Sequence, residues 1–364
     1  MTGRDKERQG GLAMHDFDGY RTLGQPHEPV DEREAGALLV RDYGLDGARL
    51  TRIATERDDT FAVTVQGERS PRYLLKIEHP AEDYGTVRMR ARALRMLERR
   101  AVNVPVTRLV PCSDDGMIAR YDAGGRTRWA TLTTFVPGRI VSSLPGRPSP
   151  ALLAGIGDRL ARIQRVLADE RGYADRLGRI LWDVRLLPAI AQDVLPMIDD
   201  ATARRAIEQA AATYESVAGH IDALPQQLCH GDFHPGNITV RDDRPDEIAG
   251  IIDFGDMHMM PAVCDLGTAL CYLVDDVLAD PLEPCRIALA AYLNVNPDFD
   301  RGLLPLLMPV MQARAALVVL LPLLAERRSG TSPEHYLFRP ESRIVRLRLL
   351  QSLSDGASDS FAGA

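Results

Sequence analysis

The residues with the greatest chemical potential in this chain form the run His230-Gly231-Asp232-Phe233-His234-Pro235-Gly236-Asn237, followed downstream by Asp253-Phe254-Gly255-Asp256. Two apolar segments, Ile238–Val240 and Ile248–Ile252, flank the polar turn Asp242-Asp243-Arg244-Pro245-Asp246. Apolar runs bounded by such a turn predict a loop, a strand, a turn and a second strand. Asp232 and Asn237 then lie on the loop before the first strand, and Asp253 at the end of the second. Phosphoryl transfer needs such a set: an acid to accept the attacking hydroxyl's proton, and two oxygen ligands for magnesium.

The Asp232-to-Asn237 spacing equals that of the kinase catalytic loop H-R-D-x-x-x-x-N, and Asp253-Phe254-Gly255 is a literal D-F-G. Lysine adds a third signal. It occurs only at Lys6 and Lys76, in a chain otherwise rich in arginine. Lys76 lies in the strand-like run Tyr73–Ile77, and a compact ammonium is not interchangeable with a guanidinium where it must reach between phosphates. A rival reading takes His230, Asp232 and His234 with Asp253, Asp256 and His258 as the ligands of a metal-dependent hydrolase. It leaves Asn237, Lys76 and the stretch Thr134–Gly138 unexplained.

The bulk properties bound these readings. A chain of 364 residues can bury a sizeable core, and two lobes are expected. A net charge of −7 argues against a nucleic-acid partner. The five cysteines lack CxxC spacing, as in a protein of a reducing cytoplasm. Met1–Pro29 has no apolar run of the secretory kind. The apolar stretch Leu303–Leu324 is interrupted by Pro305, Pro309, Gln312, Arg314 and Pro322, and is read as buried helix with no membrane partner.

Residues 1–30 read as a flexible leader, in which Met14 is an alternative start. A helix is expected over 31–43, strands over Ala48–Thr55, Thr60–Val65 and Arg72–Ile77, and a helix over Tyr84–Arg99. Two further strands, Met117–Arg120 and Trp129–Val136, flank Gly124-Gly125. After Pro137-Gly138 the chain turns helical, starting with Ser149 as N-cap and Pro150 as first helical residue. The fold class is therefore α+β, with an antiparallel β-sheet lobe at 31–137, a mainly helical lobe at 138–354 and a loose tail at 355–364.

His230–Asn237, Ile252–Asp256 and Leu74–Ile77 together resemble the aminoglycoside phosphotransferase and choline kinase family, a branch of the protein-kinase-like fold. Arg57–Val63, Trp182-Asp183 and Ile252–Met257 are more weakly similar to the hydroxylysine kinase group. The resemblance covers about residues 35–345. It implies a kinase using ATP or GTP with Mg2+. Asp232 would orient the acceptor hydroxyl and accept its proton, and Asn237 and Asp253 would hold the metal. Lys76 would pair with the α- and β-phosphates, Arg57, Asp58 and Thr60 would lie over the phosphates, and Thr134, Phe135 and Val136 would form the hinge beside the base. His234, Asp256, Trp182 and Asp183 are candidate contacts to the acceptor.

Three features depart from the kinase pattern. No Gly-rich loop precedes Lys76. The helix after it carries Arg88, Arg90 and Arg92 where a glutamate is expected, so Asp253 is a candidate partner for the lysine, and the arginines read as a solvated face. The absent glutamate also admits a pseudokinase binding module. The span from Gly255 to Leu266 is short, and Gly231 replaces an arginine. A hydroxylated small molecule is therefore the expected acceptor: an aminoglycoside or nucleoside antibiotic, as in self-resistance, or an amino alcohol. The protein is expected to be a cytoplasmic monomer or homodimer.

Overall fold

The computed structural model describes residues 27–354, apart from 56, 102, 124, 171–179 and 330–339, together with residue 361. Most of the expected leader and tail, with Met14, lies outside the described residues. The end of the leader belongs to the fold: Val30 is buried, and His27 lies 3.1 Å from Asp59.

Helix α1, Glu32–Tyr43, starts where Asp31 accepts from the Glu34 amide while the Glu34 carboxylate accepts from the Asp31 amide, a reciprocal cap. It packs on a sheet of β1 (Arg49–Ile53), β2 (Asp59–Thr64) and β3 (Tyr73–Ile77). Helix α2, Tyr84–Arg100, follows with Asp83 as its cap, and β4 (Leu109–Val110), β5 (Ala119–Ala123) and β6 (Arg126–Thr134) complete the sheet. Its order is β1-β2-β3-β6-β4 with β5 also on β6, antiparallel throughout. All of β2 is buried, as befits a strand covered on both faces. Lys76 on β3 pairs with Thr60 on one side and Thr131 on the other.

The second lobe begins with β7 (Arg139–Ile140) and α3 (Pro150–Leu167), capped by Ser149 with Pro150 in its first turn as expected. Helices α4 (Leu187–Val194) and α5 (Ala201–Ala223) lead to β8 (Gln227–Cys229). Strands β9 (Ile238–Val240) and β10 (Ile248–Ile251) form the expected antiparallel hairpin, and β7 joins its outer edge. Strand β11 (His258–Met260) pairs with β8, so the segment between them is bracketed by two small sheets. Helices α6 (Ala262–Cys271), α7 (Glu283–Val295), α8 (Leu307–Ser329) and α9 (Pro340–Ser354) complete the fold.

Two apolar cores result. The smaller joins α1 to the sheet through Leu38, Leu39, Phe61, Leu75 and Leu132. The larger fills the helical lobe and takes in Met89, Leu94 and Leu97 of α2. Helix α2 thus turns its apolar face to the second lobe and ties the two lobes together. The span Arg301–Arg327 is long and apolar enough to cross a membrane, yet 78% of that window is buried inside the protein. Helix α8 packs against α4, α5, α6 and α9, which accounts for its apolarity on every side.

Helices α3 and α7 approach most closely at Gly157. A Cβ built there would stand 1.9 Å from the Ala288 carbonyl oxygen, on backbone that cannot swing aside. Gly157→Ala is therefore expected to force the pair apart and destabilise the protein by about 1–3 kcal/mol. Denaturant unfolding of the variant checks this, and an unchanged midpoint would mean that the helices separate without cost.

Candidate active site

The loop between β8 and β9 is held by its backbone before any side chain does chemistry. Gly231 has φ +80°, and a Cβ there would meet the Asp256 carbonyl oxygen at 2.2 Å, so only glycine fits. Its amide donates to Asp265 Oδ1 at 3.0 Å, and Gln164 Nε2 donates to the other oxygen at 3.0 Å. Asp265 thereby anchors the loop. His230 Nε2 donates to the Ile252 carbonyl at 3.2 Å, while its Nδ1 accepts from the Asp232 amide at 3.3 Å. Burial holds this imidazole below its ordinary pKa, so it is a neutral strut between the loop and the hairpin.

Asp232 lies in a cleft of about 1960 Å³ between the lobes. Asn237 Nδ2 donates to its carboxylate and to its carbonyl, both at 2.9 Å. His234 Nε2 lies 3.2 Å from Oδ2, and Arg314 Nη2 of α8 donates to Oδ1. Burial opposes ionisation here, but His234 and Arg314 outweigh it and hold the carboxyl well below the usual carboxylate range. Arg314 is itself enclosed: its Nε donates to the Tyr272 hydroxyl at 3.1 Å, its Nη1 to the Trp182 carbonyl at 3.3 Å, and its guanidinium stacks 4.4 Å from the Trp182 ring. Sequence reasoning treated Arg314 only as an interruption of an apolar run. That interruption was the available signal, because a buried arginine demands an acidic partner.

Asn237 and Asp253 come together because the Ile252 amide donates to the Asn237 carbonyl at 3.0 Å across the hairpin. With its amide nitrogen committed to Asp232, Asn237 has Oδ1 left over that could serve a metal. Asp253 has φ +58°, a strained conformation just past β10, and its Oδ1 accepts from the Gly255 amide at 3.2 Å. One neutral and one anionic oxygen, with room for phosphates and water, is a donor set that suits magnesium.

Lys76 finds partners other than Asp253. Its Nζ lies 2.7 Å from Asp58 and 3.7 Å from Glu78, which directly follows β3 and, two residues on, lies to the same side as the lysine. Asp58 also accepts from the His79 amide at 2.7 Å, which pins the turn before β2 over the lysine. Burial opposes the ammonium, yet Asp58 and Glu78 raise its pKa above the ordinary lysine value. Arg90 replaces the expected helix glutamate. It is buried between Glu78 and Glu82 at 3.4 Å from each, so α2 is not a fully solvated face. Arg57 joins the network through Glu82 at 2.9 Å.

The hinge residues Thr134, Phe135 and Val136, with Thr60, line the same cleft. Thr134 spends its amide on Arg108 and its carbonyl on Thr107, and the Phe135 amide donates to Arg72. That leaves the Phe135 carbonyl and the Val136 amide uncommitted among the described residues. Trp182, His234 and Asp256 also line the cleft. Asp183 does not. It is fully buried, clamped by Arg185 at 2.7 Å with His258 at 3.7 Å, and caps a short turn, so it is a structural acid and not an acceptor contact.

The hydrolase reading fails on this geometry. His230 and His258 are buried and bonded to backbone carbonyls, and no group of three or more His, Cys, Asp or Glu among the described residues is arranged to hold a metal.

A sheet lobe and a helical lobe, with an Asp–Asn loop and a second aspartate facing a strand lysine across the cleft, define a protein-kinase-like phosphotransferase. The chain matches the phosphotransferase enzyme family over residues 49–303 and belongs to it. It is a small-molecule kinase. Hydroxylysine kinase of Danio rerio is 23% identical over 272 residues, 71% of this chain and 74% of the relative. Hydroxylysine kinase of Mus musculus is 20% identical over 302 residues, 77% and 78% of the two chains. Among solved structures, a microcompartment-associated aminopropanol kinase superposes with TM-score 0.66 at 19% identity, covering 91% of this chain and 98% of the other. An amicoumacin kinase in complex with AMP-PNP, Ca2+ and amicoumacin gives 0.65 at 16% identity, covering 90% and 94%.

Burial pushes the Glu78 carboxyl up to about 7; Lys76 and Arg90 oppose the rise, and Asp58 adds to it. The folded protein therefore holds a proton that the unfolded chain releases near 4.5, and stability falls as pH rises from there towards 7. Glu78→Gln should flatten this slope, leaving the part due to Asp256, which burial and its acidic neighbours also raise to about 7. Urea unfolding at about pH 5 and pH 7 measures it. An equally steep decline in the variant would show that Glu78 is ionised throughout.

Proposed function

We propose that this chain transfers the γ-phosphoryl group of ATP or GTP to a hydroxyl of an amino alcohol or of an aminoglycoside- or nucleoside-type antibiotic, the latter as a self-resistance enzyme. The observation that carries this reading is the Asp232 carboxylate, ionised and fixed at the cleft floor by Asn237, His234 and Arg314. So held, it aligns an incoming hydroxyl and takes its proton as the bond to phosphorus forms. A strongly depressed carboxylate is a weak base, so positioning supplies most of its effect.

Asn237 and Asp253 are the residues to hold magnesium. Held there, the ion would supply charge neutralisation for the nucleotide phosphates. Lys76 exchanges Asp58 for the α- and β-phosphates, and Arg57 and Thr60 close over them. The uncommitted Phe135 carbonyl and Val136 amide suit the edge of the base. Trp182, His234 and Asp256 face the acceptor. All five cysteines are free and buried, which supports a reducing, cytoplasmic setting.

Purified protein incubated with nucleotide and a panel of hydroxylated acceptors is expected to yield a phosphorylated product detectable by mass. Asp232→Asn should bind nucleotide normally and lose about 10²–10⁴-fold in transfer rate. Chelation should abolish turnover, with recovery on adding magnesium. Nucleotide-independent cleavage of an ester would sink the reading. Normal nucleotide binding with no transfer to any acceptor would favour a binding module.

A further inference from the structure

Six charged side chains meet on the sheet-lobe side of the cleft, where the turn before β2, the end of β3 and α2 converge. Asp58 lies 2.7 Å from Lys76, Lys76 3.7 Å from Glu78, and Glu78 3.4 Å from Arg90. Arg90 lies 3.4 Å from Glu82, and Glu82 2.9 Å from Arg57. Each cation has an acid beside it, so the group is balanced before any nucleotide arrives. Lys76 also reaches the residues proposed to hold the metal. A Cβ added at Gly255 would stand 3.1 Å from the lysine Nζ and 3.0 Å from Asp253 Oδ1. The ammonium thus borders the space that the phosphates of a metal-bound nucleotide must fill, and Asp58 already holds it.

The two carboxylate oxygens of Asp58 are used differently. Oδ2 pairs with the lysine, while Oδ1 accepts from the His79 amide at 2.7 Å, and the Thr55 hydroxyl donates to the Asp58 carbonyl. The carboxylate can therefore give up the lysine while its turn stays fastened. Burial opposes its ionisation, but Lys76 and Arg57 outweigh it and hold this carboxyl below the usual carboxylate range. Phosphates add negative charge to a cluster already balanced, and anions sharing one ammonium repel each other. Glu78 cannot move far from a lysine two residues away, and Glu82 is engaged by both Arg57 and Arg90. Asp58, on a turn and tethered through its other oxygen, is the acid that must leave.

We infer that Asp58 is an internal competitor of the nucleotide: it occupies the phosphates' seat on Lys76, swings off when a nucleotide binds, and returns after transfer to expel the spent diphosphate. This rests on the phosphotransfer reading above. It reverses the role that the family resemblance gives Asp58, from a contact of the phosphates to their rival. A binding-competent state that is populated only part of the time lowers apparent affinity by that fraction. Asp58 thus weakens nucleotide binding and speeds nucleotide release.

Asp58→Asn removes the charge and keeps an oxygen for the His79 amide. Asp58→Ser keeps a hydroxyl for it and serves where the first variant folds poorly. Calorimetric titration of the full chain with ADP, inorganic pyrophosphate and adenosine, in the presence of magnesium, reads binding without turnover. Loss of the charge should tighten ADP and pyrophosphate about tenfold or more and leave adenosine, which brings no phosphate, unchanged. In a Lys76→Gln background the same change should gain nothing, because the contested cation is gone. Stopped-flow release of ADP should slow in the variant. Unchanged or weaker ADP binding overturns the inference, as does ADP release as fast as in the wild type, an equal gain with adenosine, or a gain that survives Lys76→Gln. Tightened binding with no transfer to any acceptor would overturn the phosphotransfer reading and leave the competition standing. No binding of ADP or pyrophosphate by either protein overturns both.

Discussion

An ionised carboxylate inside a largely apolar cleft is the constraint from which the rest of this molecule follows. Asp232 keeps its charge away from bulk water only because Arg314, His234 and Asn237 converge on it. Moving such a pair out of water is expensive unless every remaining donor is also satisfied. Arg314 therefore needs the Trp182 carbonyl and the Tyr272 hydroxyl, and those groups come from a separate segment and the end of α6. Four distant pieces of chain must meet to within a hydrogen bond's length. The apolar surroundings of α8 are what hold the buried Arg314 guanidinium in register with the Asp232 loop.

The loop backbone has an equally long chain of support. Tyr292 on α7 donates to Gln164 at 2.5 Å, Gln164 donates to Asp265, and Asp265 accepts from the Gly231 amide. The close contact of α3 with α7 at Gly157 sets the start of that relay. Packing deep in the helical lobe is thereby converted into the position of one carboxylate, the kind of pre-organisation on which electrostatic catalysis depends.

Legibility in the sequence followed the range of the interaction. The hairpin, the caps at Asp31 and Ser149, and the proximity of Asn237 to Asp253 are local, written in apolar runs and turn residues that act over a few positions. The family and the two-lobed fold were readable for the same reason, because the motifs are contiguous. Arg314 was not readable as a site residue: its partner lies 82 positions away and its own neighbours are apolar. Asp183 was misread in the opposite sense. Beside Trp182 it resembles an acceptor contact, but Arg185 two residues on closes it into the core. Arg90 fell among exposed arginines and was grouped with them, although only a tertiary contact with Glu78 and Glu82 distinguishes it.

The surroundings of Lys76 show how a missing residue can be replaced without restoring the original geometry. In protein kinases the strand lysine is completed by a glutamate on the following helix, and movement of that helix switches the pair on and off. Here the acids are Asp58, just before β2, and Glu78, just past the end of the lysine's strand, and the helix supplies Arg90 as the cation beside Glu78. Residues two apart in a continuous extended stretch cannot separate far, so the contact of Lys76 with Glu78 does not depend on a movement of α2. The apolar face of α2 is correspondingly committed to the second lobe, through Met89, Leu94 and Leu97. A helix so anchored is a poor switch and a good tie between lobes. Asp58 holds the lysine in that arrangement, and on the proposed reading it gives way to the nucleotide phosphates.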